Sequence, residues 1–210
     1  MVFGSREDAG RELGKYIVGK GLDVDLVLAV PRGGLPVGRK VADVLGIGFD
    51  VVVGSKVGAP GNPELGIGAV ASDGSYWLNN NLVKNLDVDE SYLDKEIRDE
   101  ARVAGEKLRF MRGTSELPEV EGKKVLVVDD GVATGGTAIA CLRQLKNAGA
   151  GEVFFAAPVG PESVFEKLGD EADKVFVLET PKFFGSVGSH YRDFTQVTDE
   201  EAKEYLNKKT

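Results

Sequence analysis

Apolar positions along this chain fall into two kinds of pattern. The first is a short unbroken run, seen in VDLVLAV at 24–30, FDVVVGSK at 49–56, KVLVVDD at 124–130, EVFFAAPV at 152–159 and KVFVLE at 174–179. Runs with so little polar alternation are the signature of strands buried on both faces, and hence parallel. The second pattern has helical spacing. Over 5–19, Ala9, Leu13 and Tyr16/Ile17 share a face behind a Ser5/Asp8 capping box, and Val37, Val41 and Val44/Leu45 repeat that spacing after Pro36. Segments 136–147 and 162–168 read as further helices, and Thr198 with Glu201 opens a last one. The longest stripe, Leu93, Ile97, Ala104, Leu108 and Met111, lies in the charged segment 89–111, whose other face is expected to be a solvated flank or a dimer contact.

Alternating buried strands and helices predict an α/β fold, a twisted sheet of five parallel strands flanked by helices. The expected order is 49–55, 24–30, 125–129, 152–159, 174–179. Residues 67–79, around Asp73-Gly74, read as a hairpin extending the first edge antiparallel. The GAPGNPE stretch within 57–65 reads as a mobile loop, because almost nothing in it can anchor to a core. With no repeat or linker to divide the chain, 1–180 is expected to be one core, with 67–112 as a hairpin and helix insert and 181–210 as a C-terminal hood.

Composition adds one anomaly. Glycine supplies 28 of 210 residues, nearly double the ~7% background, so backbone must be bare somewhere for a reason. A net charge of −8 argues against a nucleic-acid partner, for which a basic footprint is expected. The longest uncharged stretch, 131–142, is far too short for a membrane span. A single cysteine, Cys141, expected in the core, fits a reducing cytoplasm, and the acidic N-terminus lacks a secretory core.

The glycines concentrate beside chemistry. In VLVVDDGVATGGTAIA (125–140), an apolar strand delivers Asp129 and Asp130 to its C-terminal end, where open α/β sheets bind ligands. Ala133-Thr134-Gly135-Gly136-Thr137 then turns into a helix, and unpaired glycine amides at a helix N-terminus make an anion site. Two carboxylates beside a phosphate cradle suit a ligand that places sugar hydroxyls between its phosphates. Pro31-Arg32-Gly33-Gly34 forms a second bare turn at the end of strand 24–30, with a fixed positive charge.

The run of hydrophobic strand, Asp-Asp, short turn and A-T-G-G-T closely resembles the 5-phospho-α-D-ribosyl-1-diphosphate (PRPP) motif of type I phosphoribosyltransferases. That resemblance implies a Rossmann-like core and a Mg²⁺-dependent transfer of the 5-phosphoribosyl group to a nucleobase-like acceptor, with release of diphosphate. Asp129 and Asp130 would hold the ribose 2- and 3-hydroxyls, and Ala133, Thr134, Gly135, Gly136 and Thr137 the 5-phosphate. Arg32, Gly33, Gly34 and Lys56 would face the diphosphate, with Arg32, Lys56 and the acidic pair as the catalytic set. Segment 57–65 would be the closing lid; it carries no Arg or Lys, unlike that of the orotate enzymes. Mg²⁺ would be held mainly by PRPP, near Asp129 and Asp130. The aromatic tail offers Phe183, Phe184 and Tyr191 to stack on a base, with His190 as a surface or flap residue. Gly131 departs from the family pattern, which usually has an aliphatic side chain there. A homodimer is a further expectation. A non-catalytic PRPP- or nucleotide-sensing regulator on the same fold shares every binding residue and is the alternative. P-loop, G-x-S-x-G, H-E-x-x-H and paired C-x-x-C motifs do not occur.

Overall fold

A computed structural model of the chain describes residues 2–207. In chain order the elements are α1 (Arg6–Gly19), β1 (Leu26–Ala29), α2 (Gly34–Leu45), β2 (Gly48–Val51), β3 (Gly54–Ala59), β4 (Asn62–Ala71) and β5 (Tyr76–Leu78). They are followed by α3 (Asn80–Asn85), α4 (Glu90–Arg112), β6 (Lys124–Val128), α5 (Gly136–Asn147), β7 (Glu152–Val159), α6 (Val164–Gly169), β8 (Lys174–Glu179), a 3-10 turn (Val187–His190) and α7 (Asp199–Asn207). Both predicted caps are present: the Ser5 hydroxyl accepts from the Asp8 amide at 3.2 Å, and Thr198 and Glu201 bond reciprocally at 2.8 and 3.1 Å in a full capping box.

The main sheet has five parallel strands, as the apolar runs predict, in the expected order β2-β1-β6-β7-β8. Its strands are apolar on both faces because both are covered. Leu13, Ile17, Val37 and Val41 of α1 and α2 pack on one side with Val27, Leu126 and Phe154, while Ile139, Leu142 and Leu145 of α5 pack on the other with Leu28, Val127 and Phe155. After β1 the chain winds to β2 on one side, and it later returns to place β6 on the other. The winding therefore reverses between β1 and β6, where ligands bind in open α/β sheets.

The strand predicted over 49–56 divides in two. Its first half is β2, at the sheet edge; its second half, β3, leaves the sheet and pairs with β4, and β4 pairs with β5, making a separate three-stranded antiparallel sheet. The hairpin therefore does not extend the edge of the main sheet. Val51 and Val53 pack instead with Ala104, Leu108 and Met111 of α4 and with Val197 and Ala202 near α7. The stretch predicted as a mobile loop forms the turn of the β3–β4 ribbon, with Ala59 opposite Asn62. Its anchor lies far off in sequence: Val57, Ala59 and Ile67 share a small core with Tyr92, Leu93 and Ile97, and the Tyr92 hydroxyl donates to the Gly58 carbonyl at 3.1 Å. The tail is fastened to the N-terminus, with Phe3 bridging to Tyr191. No helix among the described residues is long and apolar enough to cross a membrane.

Candidate functional site

Strands β1 and β6 run in register, Ala29 opposite Val128, so the segments that follow them emerge side by side. One is the Pro31-Arg32-Gly33-Gly34 turn, in which the Pro31–Arg32 peptide is cis. The other carries Asp129 and Asp130. The two pack so closely that side chains on the turn would collide with the acidic pair. A Cβ at Gly33 would lie 2.0 Å from Asp130 Oδ2, and one at Gly34 would lie 2.8 Å from the Val128 carbonyl and 3.0 Å from Asp129 Cα. Bare backbone is needed here because two loops share the same space.

The loop after the acidic pair has the form of an anion cradle. Ala133 and Thr134 are exposed at its tip, and Gly135, with φ 81°, caps α5 in the left-handed region that an L side chain resists. Among the described residues, none of the backbone amides of 133–137 donates to a backbone carbonyl, which leaves them available at the positive end of α5. Trp77 of β5 covers the cradle from the second sheet; a Cβ at Gly136 would meet its ring at 2.9 Å. The loop begins at Gly131, where the family pattern has an aliphatic side chain. Here Val187 of the tail takes that space, lying 2.4 Å from where a Cβ would stand.

Electrostatics set the two acids apart from ordinary surface carboxylates. Burial, and then the neighbouring charge of Asp130, hold the Asp129 carboxyl well above the usual carboxylate range, although its Oδ1 accepts from the Asp130 amide at 2.8 Å. Burial also raises Asp130, opposed by an arginine that sequence reasoning missed: Arg6 Nε donates to Asp130 Oδ2 at 2.7 Å. The partners lie 124 residues apart, and nothing in the local sequence around Arg6 signals the contact.

The remaining candidates are spread more widely. Arg32 lies at the mouth of a cavity of about 450 Å³ and makes a 3.3 Å ion pair with Asp199 at the start of α7. Lys56 belongs to the other sheet, where its Nζ donates to the Glu64 carbonyl at 3.0 Å and lies 3.4 Å from the Glu64 carboxylate. Phe183 is 93% exposed, and Phe184 stacks on His190 with ring centroids 5.6 Å apart. Tyr191, a candidate for stacking on a base, is instead buried. Its ring packs against Phe3 and Phe194, and its hydroxyl donates to the Asp130 carbonyl, so no ring face is left for a ligand. Cys141 sits in the core, as expected, where burial pushes its thiol up.

A family model described as the phosphoribosyl transferase domain matches residues 5–192. The chain belongs to this family. A Mycobacterium tuberculosis protein provisionally named a phosphoribosyl transferase is 37% identical over 211 residues, covering 99% of this chain and 47% of its own length. The chain thus spans about half the length of the curated relatives it matches. The crystal structure of TT1426 from Thermus thermophilus matches with a TM-score of 0.80 and 38% identity, over 98% of both chains. An adenine phosphoribosyltransferase (APRTase) from Giardia lamblia, complexed with 9-deazaadenine, shares the fold at 15% identity, with a TM-score of 0.51 over 85% of this chain and 80% of that one.

Proposed function

We propose that this domain transfers the 5-phosphoribosyl group of PRPP to a nucleobase-like acceptor and releases diphosphate. The observation that carries the proposal is the meeting of three groups at the ends of adjacent strands: the Arg32 turn, the acidic pair and the cradle 133–137, with Gly33 and Gly34 packed against the acids. This arrangement suits a ligand with a phosphate at one end, a diol in the middle and a second anionic group at the other. The amides of 133–137, with the Thr134 and Thr137 hydroxyls, hold the 5-phosphate. Asp129 and Asp130 accept from the ribose hydroxyls, and Arg32 faces the diphosphate.

In the reaction the bond from ribose C1 to diphosphate oxygen breaks, and a bond from C1 to the acceptor nitrogen forms. Negative charge grows on the leaving group and positive charge on the ring, so the protein's contribution is to neutralise the first and stabilise the second. Arg32 serves the first, because its 3.3 Å pair with the half-exposed Asp199 can be exchanged for a phosphate oxygen. The carboxylates serve the second from beneath the ring. Asp129, desolvated and paired with no cation among the described residues, has the donor chemistry to face Mg²⁺, and Asp130 stands beside it. Among the described residues no cluster of three or more His, Cys, Asp or Glu side chains gathers, so these two residues suit an ion held chiefly by the oxygens of PRPP, whose charge it would neutralise. For the acceptor, Phe183 and Phe184 keep ring area in the tail and Tyr191 does not.

One feature favours a second reading. The ribbon's single basic side chain, Lys56, is engaged by Glu64, which suits a nucleotide-sensing regulator that binds PRPP without turnover. Incubation with Mg²⁺, PRPP and a panel of nucleobases, following diphosphate release, separates the two. Turnover with any base establishes the transferase, and tight PRPP binding without turnover establishes the sensor. Asp129→Asn with Asp130→Asn is expected to abolish PRPP binding; unchanged affinity would remove the site assignment.

A further inference from the structure

A single guanidinium joins the acidic pair to the tail. Arg6 Nε donates to Asp130 Oδ2 at 2.7 Å, Nη1 donates to the Thr195 carbonyl at 2.7 Å, and the guanidinium carbon lies 3.8 Å above the centre of the Phe194 ring. The Arg6 side chain is only 11% exposed and that of Asp130 only 14%. The tail also grips Asp130 from behind, through the Tyr191 hydroxyl on its carbonyl. Asp130 is thus fixed at its side chain by a distant arginine and at its carbonyl by the tail, whereas the Asp129 carboxylate accepts from the neighbouring Asp130 amide.

Several ion pairs among the described residues are different in kind. Arg11–Asp8, Lys95–Asp99 and Arg102–Glu106 are neighbours along one helix and face water, where such pairs contribute little. Arg6–Asp130 closes across the fold, beneath a ring, on the carboxylate assigned to the ribose. Arginine can serve here and lysine cannot match it: the planar fork reaches an acid and a carbonyl together while its face lies on an aromatic ring.

Resting on the phosphoribosyltransferase reading, we infer that Arg6 is a positioning residue of the ribose site, holding the Asp130 carboxylate in place and tying its orientation to the closure of the tail over the acidic pair. Oδ2 is taken by Arg6, so Oδ1 is the atom left to accept from a ribose hydroxyl. Arg6 does not touch the 5-phosphate, whose cradle is made by residues 133–137. Loss of Arg6 should therefore weaken ligands that need the diol contact and spare ligands that need only the cradle.

The test is calorimetric, on the full chain, with ribose 5-phosphate and inorganic phosphate as probes. Removing the partner of a part-buried charged group costs about 1.5–3 kcal/mol, so Arg6→Ala is expected to weaken ribose 5-phosphate roughly tenfold to a hundredfold. Inorganic phosphate affinity should not change, and Arg6→Lys should recover only part of the loss. Phe194→Leu, which leaves every polar group in place, should weaken ribose 5-phosphate by a smaller factor. General loosening of the fold would weaken both probes and would overturn the proposal. Unchanged ribose 5-phosphate affinity in Arg6→Ala would overturn it while leaving the transferase reading intact. Failure of the wild-type chain to bind either probe would overturn both.

Discussion

The two sheets present opposite solutions to building the candidate site. At the end of the main sheet the work is done by backbone: the turn 31–34, the acidic pair and the cradle 133–137 are held by strand register and by glycines packed against neighbouring atoms. In the second sheet and the tail it is done by side chains from distant parts of the chain. Trp77 covers the cradle, Val187 fills the space above Gly131, and Arg6 clamps Asp130. The first kind of site is rigid because moving it would break the sheet. The second depends on contacts between side chains far apart in sequence, each of which can be altered without breaking a strand of the main sheet.

If that contrast holds, the largest effects come from the backbone side. A side chain at Gly34 meets the Val128 carbonyl and Asp129 Cα, neither of which can swing aside. Gly34→Val is expected to destabilise the chain by about 2–3 kcal/mol and to abolish phosphate binding, measured by chemical denaturation and calorimetry. A stable variant that still binds phosphate would show that the turn is looser than its packing implies.

Trp77→Ala comes next. The ring is half-buried over Gly136, so the loss is expected to be about 2 kcal/mol, below the range for a fully buried Trp. Phosphate affinity should fall with it, because the cradle loses its cover. Unaltered phosphate affinity would mean that the second sheet supports the fold alone.

Asp129→Asn should move stability and binding in opposite directions. The carboxyl is raised in the folded state, chiefly by burial, so the folded chain binds more protons than the unfolded one between the ordinary carboxylate value and the raised one. Stability is therefore greatest at low pH with respect to this group, and it is lost as pH rises through the folded-state value. At neutral pH the Asn variant should melt higher than the wild type, and the gap should close as pH falls toward about 4. PRPP binding should be lost at every pH. A lower melting temperature for the variant at neutral pH would show that the acid is compensated by a group still to be found.

The same contrast explains what could be read before the fold was known. Unbroken apolar runs mark the five parallel strands, because a strand buried on both faces must be apolar throughout, and the order of the strands was the expectation that went with the resemblance. Local chemistry marks the capping boxes, the acidic pair and both glycine turns. The second sheet was not legible as such: β3 continues the apolar run of β2, and its anchor in Tyr92 lies 34 residues from Gly58. Arg6 looked like the first residue of a helix and nothing more. The departure at Gly131 makes sense only once Val187 is seen in its place. What escaped the sequence is contact between side chains far apart along it, and that contact is the substance of the second kind of site.

The smallest structural effect is expected at Lys56, and it decides how far the contrast extends into catalysis. Its side chain is nearly half exposed and its pairing partner Glu64 almost wholly so, a pair that contributes little to stability. Lys56→Ala should shift the unfolding free energy by less than about 0.5 kcal/mol. Diphosphate release is the informative measurement. If the ribbon only covers the site, turnover and PRPP affinity stay within about twofold of the wild type, because the chemistry belongs to Arg32 and the acidic pair. If Lys56 exchanges Glu64 for the leaving diphosphate when the ribbon closes, kcat falls by about a hundredfold with stability untouched, since removing a charge that acts only in the transition state lowers kcat and kcat/KM together. Glu64→Gln then supplies the converse: freeing Lys56 from its carboxylate should raise kcat in the second case and leave it unchanged in the first.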